Sequence, residues 1–105
     1  MLIIRYIEEL LLKYFGDVKV RKDIDYPIST FEISYGFFIY TITVNEIKSE
    51  FNLNLKTFIT YGNPIHLFNK KYTLCKENIY IVVSEMYQNF SDMKEDLRIL
   101  PCINT

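Results

Sequence analysis

Apolar residues open the chain on a three- and four-residue rhythm. Ile3, Ile7, Leu10, Leu11 and Tyr14 share one stripe, with Arg5, Glu8, Glu9 and Lys13 on the other side. The spacing predicts a helix from Leu2 to Phe15, and Gly16 is placed to end it in a left-handed cap. The period then shortens to two. In DVKVRK, Val18 and Val20 alternate with charged residues as a half-exposed strand would, and its lysines and arginine suit a sheet edge. DIDYP reads as a turn, with Pro27 barring regular pairing.

The next segment, FEISYGFFIYTITV, changes parity at its single glycine. Phe31, Ile33 and Tyr35 are apolar at odd positions, whereas Phe38, Tyr40, Ile42 and Val44 are apolar at even ones. One unbroken strand here would run about 45 Å at ~3.3 Å per residue, too long for so small a domain. A hairpin with a two-residue loop at Tyr35-Gly36 explains the flip, pairing Ile33 with Phe38 and Phe31 with Tyr40, and glycine supplies the positive φ that tight turns need. The alternative is one bent strand with a bulge at Gly36. A second hairpin is read in YTLCKENIYIVV, with Glu77-Asn78 as its turn, Cys75 opposite Tyr80 and Leu74 opposite Ile81. Ser91 is placed to cap a short helix, DMKEDLRIL, whose acidic first turn suits the helix dipole and which Pro101 ends.

VNEIKSEFNLNLKTFITYG, Val44 to Gly62, admits two readings. It resembles a helix-turn-helix DNA-binding motif. Ile47 and Phe51 would face inward from the first helix, Asn54 would cap the second, and Lys56, Thr57 and Thr60 would face a major groove. As a strand, Phe51, Leu53, Leu55, Ile59 and Tyr61 alternate with Asn52, Asn54, Lys56 and Thr60, and this sustained alternation is favoured. The whole predicts one α+β domain spanning residues 1–105. It has an N-terminal helix, an antiparallel sheet of about four to six strands built from hairpins, and a short C-terminal helix.

Composition narrows the function classes. Half of the residues are apolar, enough for a folded core, and no apolar run approaches the roughly 20 residues of a membrane span. Arg5, Glu8 and Glu9 interrupt the first run, so the N-terminus does not read as a signal peptide and a cytoplasmic protein is expected. A formal charge of −1 lacks the basic excess of a general nucleic-acid binder. The charges cluster all the same. Lys70, Lys71 and Lys76 fall together, while Glu85, Asp92, Glu95 and Asp96 make the last quarter acidic.

Catalytic chemistry finds little to work with. His66 is the only histidine, which rules out a multi-histidine metal site, and three unclustered glycines cannot build a phosphate loop. Cys75 and Cys102 lack a CxxC spacing and read as free thiols, a disulfide between them remaining open. No enzymatic activity, cofactor or metal is expected. Nine tyrosines and eight phenylalanines exceed what one core of this size needs, and aromatics beside charge, such as Tyr87 and Phe90 near Glu85 and Asp92, are of the type that anchors protein interfaces. Alanine is absent and Ile, Asn, Lys, Tyr and Phe are plentiful, a bias that points to an AT-rich gene.

In general character, with its few glycines, abundant aromatics and clustered acid, the chain resembles the immunity proteins of bacterial toxin systems, including contact-dependent growth inhibition. The resemblance implies a protein that binds a cognate toxin domain in the cytoplasm and covers its active site. For a nuclease toxin, an acidic face would enter the basic substrate groove in place of phosphates. Glu85, Asp92, Glu95 and Asp96 are then the expected electrostatic contacts, Tyr87 and Phe90 the anchors, and Glu46 and Glu50 a second acidic patch. The alternatives are the DNA-binding regulator through Asn54, Lys56, Thr57 and Thr60, and a structural or chaperone-like homodimer joined through the N-terminal helix stripe.

Overall fold

The computed structural model describes residues 2–16, 19–57 and 65–103, with the side chains at 19, 35, 90 and 93–103 outside that description. The first apolar stripe forms helix α1 (Leu2–Phe15), which buries Ile4, Ile7, Leu10, Leu11 and Phe15 and leaves Ile3 and Tyr14 partly covered. Strands β1 (Lys19–Asp23), β2 (Ile28–Tyr35), β3 (Phe38–Asn45), β4 (Glu50–Thr57) and β5 (Ile65–Thr73) follow, and helix α2 (Lys76–Ile103) closes the chain. The five strands form one antiparallel sheet in chain order, each paired with the next. The fold is α+β, as its pattern predicts.

The parity flip at Gly36 is a hairpin. Tyr35 pairs with Phe38, so the two-residue loop is Gly36-Phe37, one position later than expected, and Ile33 faces Tyr40 while Phe31 faces Ile42. Moving such a loop by one residue shifts every partner by two and preserves the parity. Gly36 has φ 57°, and glycine at the first loop position is what a type II′ turn requires.

Alternation on β2, β3 and β4 sorts the side chains cleanly. Phe31, Ile33, Tyr40, Ile42, Val44, Phe51, Leu53 and Leu55 point to the inner face and are buried beneath the helices. The outer face is polar. Glu32, Thr41, Asn54 and Asn69 form one cross-strand row, and Thr30, Thr43, Asn52 and Lys71 another. At the β1 edge, Lys22 Nζ donates to Glu8 Oε2 at 2.7 Å and ties α1 to the sheet; both groups are solvated, so the pair registers the helix more than it stabilises it.

Two expectations and one alternative reading are corrected here, while the favoured strand reading of Phe51, Leu53 and Leu55 holds. The helix-turn-helix does not form: β3 continues to Asn45, residues 46–49 make a turn with Asn45 Oδ1 accepting from the Ile47 and Lys48 N–H groups, and Glu50–Thr57 is the strand β4. Ile47 is exposed, Asn54 and Lys56 lie on the outer sheet face, Thr57 is buried, and Thr60 lies outside the described residues. The second hairpin does not form either. Glu77 and Asn78 belong to the first turn of α2, which buries Ile79, Val82, Val83 and Met86 at helical spacing. β-branched residues cost at most about 0.7 kcal/mol each in a helix, whereas burying such side chains is worth about 1.5–3 kcal/mol each, so packing prevails over propensity. Ser91 therefore sits inside α2 and caps nothing, and the helix runs through Pro101.

The α1 packing gives a direct check. Ile7→Ala is expected to cost about 2–5 kcal/mol in urea unfolding, and Leu12→Ala on the exposed side of the same helix less than about 0.5 kcal/mol.

Candidate protein-binding surface

Five strands at ~4.8 Å spacing span about 24 Å, whereas two helices of ~10 Å diameter cover about 20 Å. The shortfall shows at both edges: a cavity of about 270 Å³ opens between α1 and β1, lined by Leu11, Phe15, Val20 and Phe31, and β5 is left partly open. The register shows what is left open. Phe51 pairs with Tyr72, Leu53 with Lys70 and Leu55 with Phe68; beyond a bulge whose extra residue is Leu67, Thr57 pairs with Ile65. All four β4 partners are buried, yet Ile65 is 46% exposed, Leu67 48% and Phe68 39%. Only Tyr72 is partly covered, stacked on Phe51 with ring centroids 5.1 Å apart, and Lys70 Nζ lies 5.3 Å from the Tyr72 ring centre. An apolar strip along an edge strand, flanked by cations, is the most unusual surface the described residues present.

Helix α2 starts at the end of β5 and crosses the inner face of the sheet. Its Asn78 Nδ2 donates to the Thr73 carbonyl at 2.9 Å, and its Asn89 Nδ2 donates to the Tyr40 hydroxyl at 3.4 Å. Tyr40 is in register with Leu55 and so with Phe68. Eleven residues of helix and five of strand each advance about 16 Å, so α2 runs antiparallel to β5 while its Asn89 reaches Tyr40 on β3, two strands in from that edge. One flank of α2 packs on α1. The Tyr87 ring stands 5.2 Å from that of Tyr14 and 5.9 Å from that of Phe15, and Lys76 lies over the Tyr6 ring. The Tyr80 phenol is held above its ordinary pKa, chiefly by its pairing with the Tyr14 hydroxyl. At ~100° per residue, Glu85 is about 160° around the helix from Tyr87. Glu85 and Asp92 thus lie on the side of α2 away from α1, and Ile81, about 150° around from the buried face, points to solvent and is 46% exposed.

The expected toxin-binding residues separate into groups. Glu85 and Asp92 share the flank away from α1; both are exposed, and Asp92 accepts a hydrogen bond from Gln88 at 3.2 Å. Tyr87 is on the opposite flank and works as an interhelix contact, not beside them. Phe90, Glu95 and Asp96 belong to α2, but their side chains lie outside the described residues. The second patch does not form an acidic face, because Glu50 Oε1 pairs with Lys71 at 3.7 Å and Glu46 is half-buried in the β3–β4 turn, its N–H bonded to the Pro27 carbonyl. Nor can the α1 stripe join two copies, since its residues are consumed in the core. His66 is exposed on the outer face opposite Lys56; Cys75 is a free, half-buried thiol, and the Cys102 side chain lies outside the described residues. Among the described residues, no three of His, Cys, Asp and Glu stand close enough to hold a metal ion, and no helix is long and apolar enough to cross a membrane.

Sequence reasoning missed Ile65, Leu67, Phe68 and Ile81. A signal was present: in IHLFNKKY the apolar positions pass from odd to even between Leu67 and Phe68, the same change of parity as at Gly36 and here the mark of a bulge. Compared with known proteins, the chain matches no family model, no curated sequence and no solved structure.

The Tyr40–Asn89 contact that anchors α2 is open to titration. Burial raises the Tyr40 pKa above the usual tyrosine value, partly offset by the Asn89 hydrogen bond, so the folded state keeps its proton longer than the unfolded chain. The resulting stability is complete below about pH 10 and is lost as pH rises through the folded-state value. Urea midpoints taken at about pH 9 and about pH 11 are expected to fall further for the wild type than for Tyr40→Phe.

Proposed function

We propose that the chain is an immunity-type inhibitor, which binds a cognate toxin domain in the cytoplasm and neutralises it by covering its active site. The observation that carries this reading is the pair of exposed carboxylates on the α2 flank away from α1, Glu85 and Asp92, together with the exposed apolar side chains Ile65, Leu67 and Phe68 of β5. Apolar surface of this kind favours a lasting contact once a partner excludes water from it, and the carboxylates would steer a basic partner. A nuclease domain fits that demand, because its substrate groove is basic and would accept carboxylates where phosphates ordinarily lie. The chain needs no chemistry of its own for this role. Its work is recognition and steric exclusion.

Expressing the protein with the product of the neighbouring gene, scoring growth and weighing any complex tests the reading. A neighbour that is toxic alone, harmless with this protein and bound to it as a defined complex supports it; a harmless neighbour that forms no complex removes it. In such a complex, Glu85→Lys with Asp92→Lys is expected to weaken binding at least tenfold at low salt, about 1.4 kcal/mol, with a smaller loss at high salt. Tyr87→Ala should lower the melting temperature and leave the dissociation constant nearly unchanged, because its ring packs against α1.

A further inference from the structure

We propose that the free edge of β1 is the seat for an extended acidic segment of a partner protein, added as a sixth strand whose inward side chain enters the cavity beneath α1. This site goes beyond the inhibitor reading and does not depend on it. β1 ends the sheet, paired on one side only, and its register with β2 runs without a break from Lys19 to Asp23. The cavity of about 270 Å³ lies beside it, with Leu11, Leu12 and Phe15 of α1 above and Val20 and Phe31 of the sheet below. Arg21 is exposed and, although Glu32 stands across from it on β2, makes no ion pair among the described residues.

The open groups select a strand. They are the outward backbone N–H and C=O groups of β1, and an extended chain pairs with them while satisfying its own, whereas a helix laid there would meet none of them. Alternation then sorts the incoming side chains. A residue beside Val20 faces inward, because Val20 is in register with the buried Ile33, and there it meets the cavity and Leu12, which is 73% exposed on α1. A residue beside Arg21 faces outward, where a carboxylate would complete the guanidinium. Lys22 adds positive charge to the edge, although Glu8 already holds it at 2.7 Å. The same charges reject a second copy. A two-fold continuation of the sheet centred on Arg21 would set that guanidinium opposite its own copy, and like charges directly opposite destabilise a strand pair. The edge cations therefore bar pairing with the chain's own kind and admit an acidic strand. The edge of β5 offers no equivalent, since the Leu67 bulge interrupts its register.

The test uses the full chain and three fluorescent nine-residue peptides. One alternates valine with glutamate, one alternates valine with lysine, and one is the glutamate peptide with two adjacent central prolines, which cannot donate to a ladder. Anisotropy is expected to show binding of the first at least tenfold tighter than of the other two, with amide shifts concentrated in β1 and α1. Arg21→Glu should weaken that binding at least fivefold and strengthen binding of the lysine peptide, an exchange that a loss of folding would not produce. Leu12→Asp should weaken binding of the glutamate peptide at least threefold, and both variants should keep the melting temperature within a few degrees, because both side chains are exposed. Equal binding of the lysine or the proline peptide, shifts centred on β5, or no binding at all would overturn the proposal. So would sedimentation of the chain alone as a dimer that Leu12→Asp dissociates, since the edge would then belong to a second copy.

Discussion

A helix is about 10 Å across and a strand takes ~4.8 Å of sheet, so two helices can bury the inner faces of four strands and little more. This chain builds five. Which strand goes uncovered follows from the chain order, because α1 is fixed to β1 by its short connection and by the Glu8–Lys22 pair, and α2 packs against α1 through Tyr87. The helical layer therefore ends over β4. The exposed Ile65 and Phe68 are consequences of that mismatch in width.

The mismatch also explains how the surface charges divide. Residues over the core must be apolar, so the acidic side chains of α2 can only lie to the side or above, and Glu85 and Asp92 stay exposed on the side away from α1. Lys70 and Lys71 on β5 then serve two needs at once. They guard an edge strand against pairing, and Lys71 offsets Glu50 on the outer face. Glu85 and Asp92 make no ion pair among the described residues, and Lys70 shares the β5 face with the apolar Phe68 and Ile65. An inhibitor that binds a basic partner would use those carboxylates and that apolar surface.

The hydrophobic period made much of the fold legible. The α1 stripe, the edge character of β1, the hairpin at Gly36 and the strand alternation of Phe51, Leu53 and Leu55 are all written in it, because each element buries one face. Reading failed where propensity and period disagreed. IYIVV looks like a strand by composition, but Ile79, Val82, Val83 and Met86 keep helical spacing, and burial decided in favour of the helix. The acidic residues of α2 were identifiable as a cluster, but their partition was not, since Glu85 and Tyr87 are neighbours in sequence and lie on opposite flanks of the helix. The β5 strip was not legible because exposure depends on what covers a strand, and that is a property of the whole layer.

The central claim is that the helical cover stops at β4, and paired unfolding measurements address it most directly. Phe51 and Phe68 are both aromatic residues on the inner face, on adjacent strands. Urea unfolding of Phe51→Ser should lose several kcal/mol, on the order of the 3–5 seen when a buried phenylalanine is truncated, while Phe68→Ser, at 39% exposure, should lose roughly half of that. Equal losses at the two positions would mean that β5 is covered after all, and would contradict the account.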